Sequence, residues 1–244
     1  MTRPLVVCFD LDDTLVSESD YVESGLHAVG ALLDRELPGP EPSGPWLVER
    51  WRRTRARDLF QRWLAERRAD ETRWLPRLVA AYREHRPVLA PRPGAVEALG
   101  AIVARGDRLA LLSDGWLEVQ RRKWEALALA LPFAPVVFTD ERGRPFWKPH
   151  PWGYQQVMAA HRDAEGFAYV GDNPAKDFEA PDGMGWSTVL LDHPENLYRR
   201  ADPGGARHLA RSFREILELT APGGAGRTLD GAQLSRSPSS GTRT

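Results

Sequence analysis

Short apolar runs alternate with longer amphipathic segments along most of the chain. Helical spacing of apolar residues predicts helices over 94–105, 116–131, 151–161 and 206–219. The apolar runs predict strands, and they cover residues 6–9, 109–112, 136–138, 167–170 and 188–191. Alternating strands and helices are typical of a parallel sheet with helices on both faces, so the pattern predicts an α/β, doubly wound parallel sheet.

A long insertion separates the first two predicted strands. About a hundred residues lie between them, far more than the dozen or so that a crossover needs. Within the insertion the pattern predicts one or two helices over 17–37, a linker rich in Pro and Gly over 38–45, and helical structure over 46–86 that is interrupted at Pro76. We therefore predict a core of residues 1–16 and 94–220, an insertion of residues 17–93, and a disordered tail over 221–244, where Gly, Ser, Arg and Thr replace large apolar residues.

Polar side chains follow four of the predicted strands. Asp10, Asp12 and Asp13 follow the first, Ser113 and Asp114 follow the second, Lys148 lies beyond the third, and Asp172 and Asp177 follow the fourth. Ligands of open α/β sheets bind outside the carboxyl ends of the strands, so these loops are expected to converge on one crevice. Carboxylates crowded in this way usually serve a cation or a proton transfer, and a divalent metal is the natural candidate.

The order of these motifs resembles that of the haloacid dehalogenase (HAD) superfamily. The matching segments are Asp10-Leu11-Asp12-Asp13-Thr14, Ser113, Lys148-Pro149, and Gly171-Asp172 with Asp177, and the resemblance covers roughly residues 5–220. One departure is Asp114, because many members carry Asn after the Ser or Thr. The resemblance implies a Rossmann-like core with an α-helical cap domain inserted between the first and second motifs.

The resemblance also implies roles for the site residues. Asp10 is expected to be the nucleophile, and Asp12 the general acid and base. Mg²⁺ is the expected cofactor, bound by Asp10, the backbone carbonyl of Asp12, and Asp172. Ser113, the backbone N–H of Asp114, and Lys148 are expected to bind the phosphoryl group. For Asp177 two roles stay open besides that of a helix-end acid, namely holding a metal-bound water or pairing with Lys148.

These roles predict a Mg²⁺-dependent phosphatase that hydrolyses a small phosphorylated metabolite, a sugar phosphate or a nucleotide, through an aspartyl-phosphate. A phosphomutase would use the same four motifs. A haloacid dehalogenase is less compatible, because it does not use a second acid at the position of Asp12. A non-catalytic binding module is the remaining alternative, and the complete set of acids argues against it.

Composition narrows the range of partners. A net charge of -1 gives no reason to expect nucleic acid or a membrane as partner. Cys8 is the single cysteine, so an intramolecular disulfide is excluded, and with no signal-peptide pattern a cytoplasmic location is expected. The insertion is rich in arginine, which would suit either steering of an anionic substrate or, as we favour, solvated helix faces with paired charges. Its large apolar residues are expected to form a core of its own, namely Trp51, Leu59, Phe60, Trp63, Leu64 and Trp74.

Overall fold

The structure is a computed structural model that describes residues 3–197 and 205–221. The chain divides into two compact units. The first contains the sheet and is formed by residues 1–17, 91–120 and 129–244, and the second is helical and is formed by residues 18–90 and 121–128. The predicted tail, from residue 222 onward, lies outside the described residues.

A six-stranded parallel sheet forms the centre of the first unit, which confirms the predicted fold class. The strand order is β3-β2-β1-β4-β5-β6. β1 lies between β2 and β4, so the strand order reverses beside β1. In open α/β sheets, the carboxyl ends of the strands form a crevice at such a reversal. The strands are β1 (Leu5–Phe9), β2 (Arg108–Ser113), β3 (Phe133–Phe138), β4 (Gly166–Gly171), β5 (Ser187–Leu191) and β6 (His208–Ala210).

The central strand is buried along almost its whole length. Val6, Val7, Cys8 and Phe9 have no exposed surface, as expected for a strand whose two faces are both covered. Tyr154, Phe178 and Trp186 pack in the same apolar cluster as Val6 and Cys8. The rigid end of β1 therefore presents Asp10 from a closely packed core.

Nine helices are seen in the described part of the chain, besides two 3₁₀ turns after β3. None of them has the length and apolar character needed to cross a membrane. The helices are α1 (Glu18–Glu36), α2 (Ser43–Thr54), α3 (Leu59–Glu66), α4 (Glu71–Glu84), α5 (Ala95–Ala104), α6 (Leu117–Leu127), α7 (Trp152–Ala160), α8 (Glu179–Gly183) and α9 (Phe213–Leu219), and the turns are Thr139–Arg142 and Arg144–Phe146.

The predicted interruption at Pro76 is wrong. Pro76 lies inside α4, where Trp74 and Leu78 are buried, so the packing of this face outweighs the loss of one backbone hydrogen bond. The helical segment breaks instead at residues 55–58 and 67–70. Arg55 and Arg68 each adopt a positive φ of 50° there, a left-handed conformation that ends a helix.

The last predicted helix is also partly wrong. Residues 208–210 form β6, which pairs with β5, and α9 begins only at Phe213. Ser212 caps α9, since its side chain accepts a hydrogen bond from the backbone N–H of Glu215. The Ser-Phe-Arg-Glu sequence from 212 to 215 matches the capping-box pattern and marks this boundary.

The helical unit has its own core, and many of its arginines have partners. Trp51, Leu59, Trp63, Leu64 and Trp74 are buried, while Phe60 is half-buried. Some of its arginines lie over tryptophan rings. The guanidinium carbon of Arg55 is 3.9 Å from the centre of the Trp51 ring, and that of Arg67 is 4.1 Å from the centre of the Trp63 ring. Three more form ion pairs, namely Arg52 with Glu23, Arg62 with Asp58, and Arg77 with Glu36. This pattern favours the interpretation as paired surface charges over that of a field that steers a substrate.

A buried ion pair holds the start of the loop after β1. One Nη of Arg92 donates to Asp13 Oδ1 over 3.0 Å and to Asn196 Oδ1 over 2.8 Å. The other Nη lies 2.8 Å from Nδ1 of His193. Asp13 has a positive φ of 53° and also accepts the backbone N–H of Leu197 through Oδ2. The guanidinium thus ties the Asp13 turn to the segment that follows β5.

Replacing Arg92 is expected to destabilise the protein strongly. Arg92→Met removes the guanidinium from a buried carboxylate, and breaking such a pair typically costs about 3–5 kcal/mol. The free energy of unfolding from urea titration measures this loss. Arg214→Ala is the matched control, because Arg214 pairs with Glu218 on the surface of the same unit and should change stability by at most about 1 kcal/mol. Equal effects of the two substitutions would contradict a structural role for the buried pair.

Candidate active site

The ammonium of Lys148 lies among the acids at the carboxyl edge of the sheet. Its Nζ is 2.9 Å from Asp10 Oδ1 and 2.8 Å from Asp177 Oδ1, and it donates to the Tyr169 hydroxyl over 2.8 Å. The Lys148 side chain is fully buried. Burial alone would lower the pKa of Lys148, but the charges of Asp10, Asp177 and Asp114 outweigh it and hold that pKa well above its ordinary value. Lys148 is therefore a charged group in a dry site.

The two carboxylates that contact this ammonium belong to a cluster of three. Asp10, Asp172 and Asp177 each bring one oxygen to within 4.8 Å of the others, and all three are buried. Burial raises the pKa of Asp10 to about 6, with Lys148 acting in the opposite direction. Burial and the charges of Asp177 and Asp10 raise the pKa of Asp172 well above its ordinary value. Burial thus disfavours the negative charge that the cluster carries.

The backbone of the loop after β4 positions Asp177. The backbone N–H of Asn173 donates to Asp177 Oδ2 over 2.8 Å, and the Tyr154 hydroxyl donates to the Asp177 carbonyl over 3.0 Å. A Cβ added at Gly171 would lie 2.6 Å from Asp177 Oδ2, so the carboxylate fits against the strand end only because that residue is glycine. Of the roles left open for Asp177, the pairing with Lys148 is the one that is observed.

The side chain of Asp114 supports the site. Its Oδ1 accepts hydrogen bonds from the Thr139 hydroxyl, over 2.7 Å, and from the backbone N–H of Lys148, over 3.1 Å. Its Oδ2 accepts from Lys176 Nζ over 3.3 Å. Burial would raise the pKa of Asp114, but Lys148 and Lys176 outweigh it and lower that pKa. Asp114 therefore links the loops that follow β2, β3 and β4.

Ser113 and Asp12 are connected through a residue that the sequence motifs did not indicate. The Ser113 hydroxyl donates to Gln120 Oε1 over 3.1 Å, and Gln120 Nε2 donates to Asp12 Oδ2 over 2.9 Å. The hydrogen of the Ser113 hydroxyl thus points to Gln120 in this structure. The Asp12 carboxylate faces Gln120 and is not a member of the three-carboxylate cluster.

Sequence reasoning missed Gln120, Lys176 and Tyr169. Lys176 was visible as a charge inside the loop that carries Asp172 and Asp177, and Tyr169 as the single polar group within β4. Gln120 had no such signal, because one amide in the first turns of a helix is ordinarily a solvated residue.

The donor set fits a divalent cation. Carboxylate oxygens are the ligands that Mg²⁺ prefers, and it needs only one or two of them besides water and substrate. Burial raises the pKa values of Asp10 and Asp172, and the charge of Asp177 raises both further, so a nearby cation would stabilise the charged carboxylates. The cluster also contains Asp177, whose other neighbour is Lys148.

Curated relatives of the chain are phosphatases. It is 25% identical over 196 residues to a glyceraldehyde 3-phosphate phosphatase of Methanocaldococcus jannaschii, which covers 76% of this chain and 83% of the relative. It is 32% identical over 170 residues to a phosphoserine phosphatase of Thermus thermophilus, with 69% of this chain and 65% of the relative covered.

Solved structures share the fold at low sequence identity. A predicted phosphoglycolate phosphatase from Haemophilus somnus is 21% identical with a TM-score of 0.58, over 91% of this chain and 100% of that one. An L-2-haloacid dehalogenase from Xanthobacter autotrophicus is 17% identical with a TM-score of 0.53, over 90% and 98%. The family model for haloacid dehalogenase-like hydrolases matches residues 5–185, which is most of the chain. The protein therefore belongs to the haloacid dehalogenase-like hydrolases.

Proposed function

We propose that the protein is a Mg²⁺-dependent phosphatase that hydrolyses a small phosphorylated metabolite, a sugar phosphate or a nucleotide, through an aspartyl-phosphate. The observation that carries the proposal is the pair of carboxylates after β1, with Asp10 beside a buried ammonium and Asp12 held separately by an amide. Two acids in different surroundings suit two different roles, a nucleophile and a proton carrier.

Asp10 suits the nucleophile. It lies at the end of the central strand, where its backbone N–H donates to the Val170 carbonyl over 2.9 Å, so its position is set by the sheet. The adjacent Lys148 favours its charged form, which is the form that attacks phosphorus. Attack by Asp10 would form the acyl-phosphate and expel the alcohol of the substrate.

Asp12 suits the general acid and base. It is half-buried, and its carboxylate accepts a hydrogen bond from the amide of Gln120. In the first step Asp12 would protonate the departing oxygen, and in the second it would take a proton from the water that hydrolyses the acyl-phosphate. A haloacid dehalogenase has no departing oxygen to protonate, so this second acid favours phosphoryl transfer.

The remaining groups would bind the phosphoryl oxygens and the metal. Lys148, the Ser113 hydroxyl and the backbone N–H of Asp114 are the proposed phosphoryl donors, and the hydroxyl must turn from Gln120 to donate there. Asp10, Asp172 and the backbone carbonyl of Asp12 are the proposed Mg²⁺ ligands, with Asp177 close enough to Asp10 and Asp172 to contribute. When bound, Mg²⁺ would supply charge stabilisation to the phosphoryl oxygens.

The relatives support a small substrate, and a panel of phosphate esters would identify it. The panel contains glyceraldehyde 3-phosphate, phosphoserine, sugar phosphates and nucleotides, each assayed with Mg²⁺ for released phosphate. Retention of the phosphate on an isomeric product would indicate a phosphomutase. Halide release from a 2-haloacid, with no phosphate release from any ester, would indicate a dehalogenase. No turnover of any phosphate ester or of the 2-haloacid would favour a binding module. The role of the helical unit as a cap remains a prediction.

Asp10→Asn is expected to abolish phosphate release from phenyl phosphate. The amide cannot form an acyl-phosphate that hydrolyses at the normal rate, and it removes one charged ligand of the proposed metal site. Initial rates of phosphate release at saturating Mg²⁺ measure the effect. Unchanged turnover in this variant would rule out the covalent mechanism.

Asp12→Asn is expected to behave differently. It should lower kcat for phenyl phosphate by roughly 10²–10⁴, the usual contribution of general acid–base catalysis, and change the Mg²⁺ affinity little. Metal affinity is read from the Mg²⁺ concentration that gives half of the thermal stabilisation. A large loss of that affinity with normal turnover at saturating Mg²⁺ would show that Asp12 is a metal ligand through its side chain.

The stabilisation by Mg²⁺ is expected to increase with pH. The pKa values of Asp10, at about 6, and of Asp172 are raised, so protons compete with the metal at low pH and compete less as the pH rises. At a fixed Mg²⁺ concentration the rise in Tm over an EDTA sample should therefore be small at pH 5 and large at pH 7.5. When the Mg²⁺ concentration is one hundred times its Kd, binding stabilises the folded protein by about 2.7 kcal/mol.

Asp172→Asn provides the control for this experiment. It removes one buried carboxylate of the cluster, so most of the Mg²⁺-dependent shift in Tm should disappear at both pH values. Ca²⁺ and Na⁺ at the same ionic strength separate specific binding from screening. A Tm shift that is equal at pH 5 and pH 7.5, or that survives in Asp172→Asn, would contradict the proposed metal site.

A further inference from the structure

Gln120 is a buried amide that contacts two residues of the proposed phosphatase site. It is only 3% exposed, and its two polar atoms face Asp12 on one side and Ser113 on the other. A carboxylate can only accept hydrogen bonds, so the amide must turn its NH₂ group to Asp12 and its oxygen to Ser113. The Asp12 carboxylate therefore fixes the orientation of the amide, and the Ser113 hydroxyl, which can donate or accept, donates to the amide oxygen.

The surrounding backbone holds Gln120 in this place. Its backbone N–H donates to the Trp116 carbonyl over 3.0 Å in the first turn of α6. At the start of that helix, Asp140 Oδ2 accepts the backbone N–H of Leu117 over 3.0 Å. A Cβ added at Gly115 would lie 2.5 Å from Gln120 Nε2, and Gly115 has a φ of +125°. The turn after β2 is thus shaped so that the amide of Gln120 passes close to the backbone.

We infer that Gln120 is a positioning residue, which orients the Asp12 carboxylate for proton transfer to the leaving group and couples that carboxylate to the Ser113 hydroxyl. This inference rests on the proposed phosphatase function. Asp12 is half-buried, and a carboxylate that turns away from the leaving oxygen cannot protonate it. A displacement of about 1 Å at a catalytic group is enough to cost roughly 10²-fold in rate.

The leaving group of the substrate provides the test. Phenyl phosphate has a poor leaving group that needs a proton, whereas 2,4-dinitrophenyl phosphate has a good one that departs as the anion. Gln120→Leu keeps the size of the side chain and removes both hydrogen bonds. We expect kcat/KM to fall by roughly 10–100-fold for phenyl phosphate and by less than about threefold for the dinitrophenyl ester, because only the first ester depends on an oriented acid.

A double-mutant cycle separates positioning from a structural effect. In the Asp12→Asn background the acid is already lost, so Gln120→Leu should cause no further fall in kcat/KM for phenyl phosphate. Gln120→Met, which keeps the length of the side chain and also removes both hydrogen bonds, should reproduce the same selective loss. Gln155→Leu is the control, since Gln155 is exposed on α7 and its loss should affect neither ester.

The possible outcomes differ clearly. Equal losses on both esters, a full additional loss in the Asp12→Asn background, or unchanged kinetics of Gln120→Leu would overturn the inference while leaving the phosphatase function standing. Failure of the unmodified protein to hydrolyse either ester with Mg²⁺ would overturn the phosphatase function, and the inference with it. Thermal unfolding of each variant shows whether it is folded, and Gln120→Met decides the question if Gln120→Leu is not.

Discussion

The buried ammonium of Lys148 is the interaction on which the rest of the site depends. An isolated charge in a dry interior costs several kcal/mol, so neither the ammonium nor the carboxylates of Asp10 and Asp177 would be stable there without the others. The three groups come from loops after three different strands, β1, β3 and β4. The strand order of the sheet therefore has to be correct before these charges can compensate one another.

Lys148 does not balance all the negative charge of the carboxylate cluster, and the remaining charge determines what the site can bind. Asp172 shares the cluster with Asp10 and Asp177, and burial together with the charges of those two acids raises its pKa. A divalent cation would supply the missing positive charge, and it would also offset the charge of an incoming phosphoryl group. Asp114 keeps the arrangement in register, because its carboxylate binds the backbone of Lys148 on one side and the ammonium of Lys176 on the other.

The family fold leaves the reaction open, and the side chains after β1 narrow it. Proteins with the same fold include a phosphatase and a dehalogenase, each under 25% identical to this chain, so the sheet alone does not distinguish carbon–halogen from phosphate-ester hydrolysis. Asp12 is the difference that matters here. The departure of an alcohol calls for a second carboxylate that can carry a proton, whereas the departure of a halide does not, and Asp12, hydrogen-bonded to the amide of Gln120, would be that carboxylate.

Local patterns in the sequence determined five of the six described strands, most of the helices and the loops that carry the acids, because the alternation of apolar runs and amphipathic segments is a property of neighbouring residues. They did not determine whether α4 continues through Pro76 or that residues 208–210 form β6, since both depend on packing against distant elements. The partners of the site residues likewise emerged only from the tertiary structure. Asp12 and Gln120 are separated by 108 positions in the chain, and Asp13 and Arg92 by 79, so no local spacing could have paired them. Burial also decided which acids have raised pKa values, because desolvation depends on everything that packs around a group and not on the residues beside it in the chain.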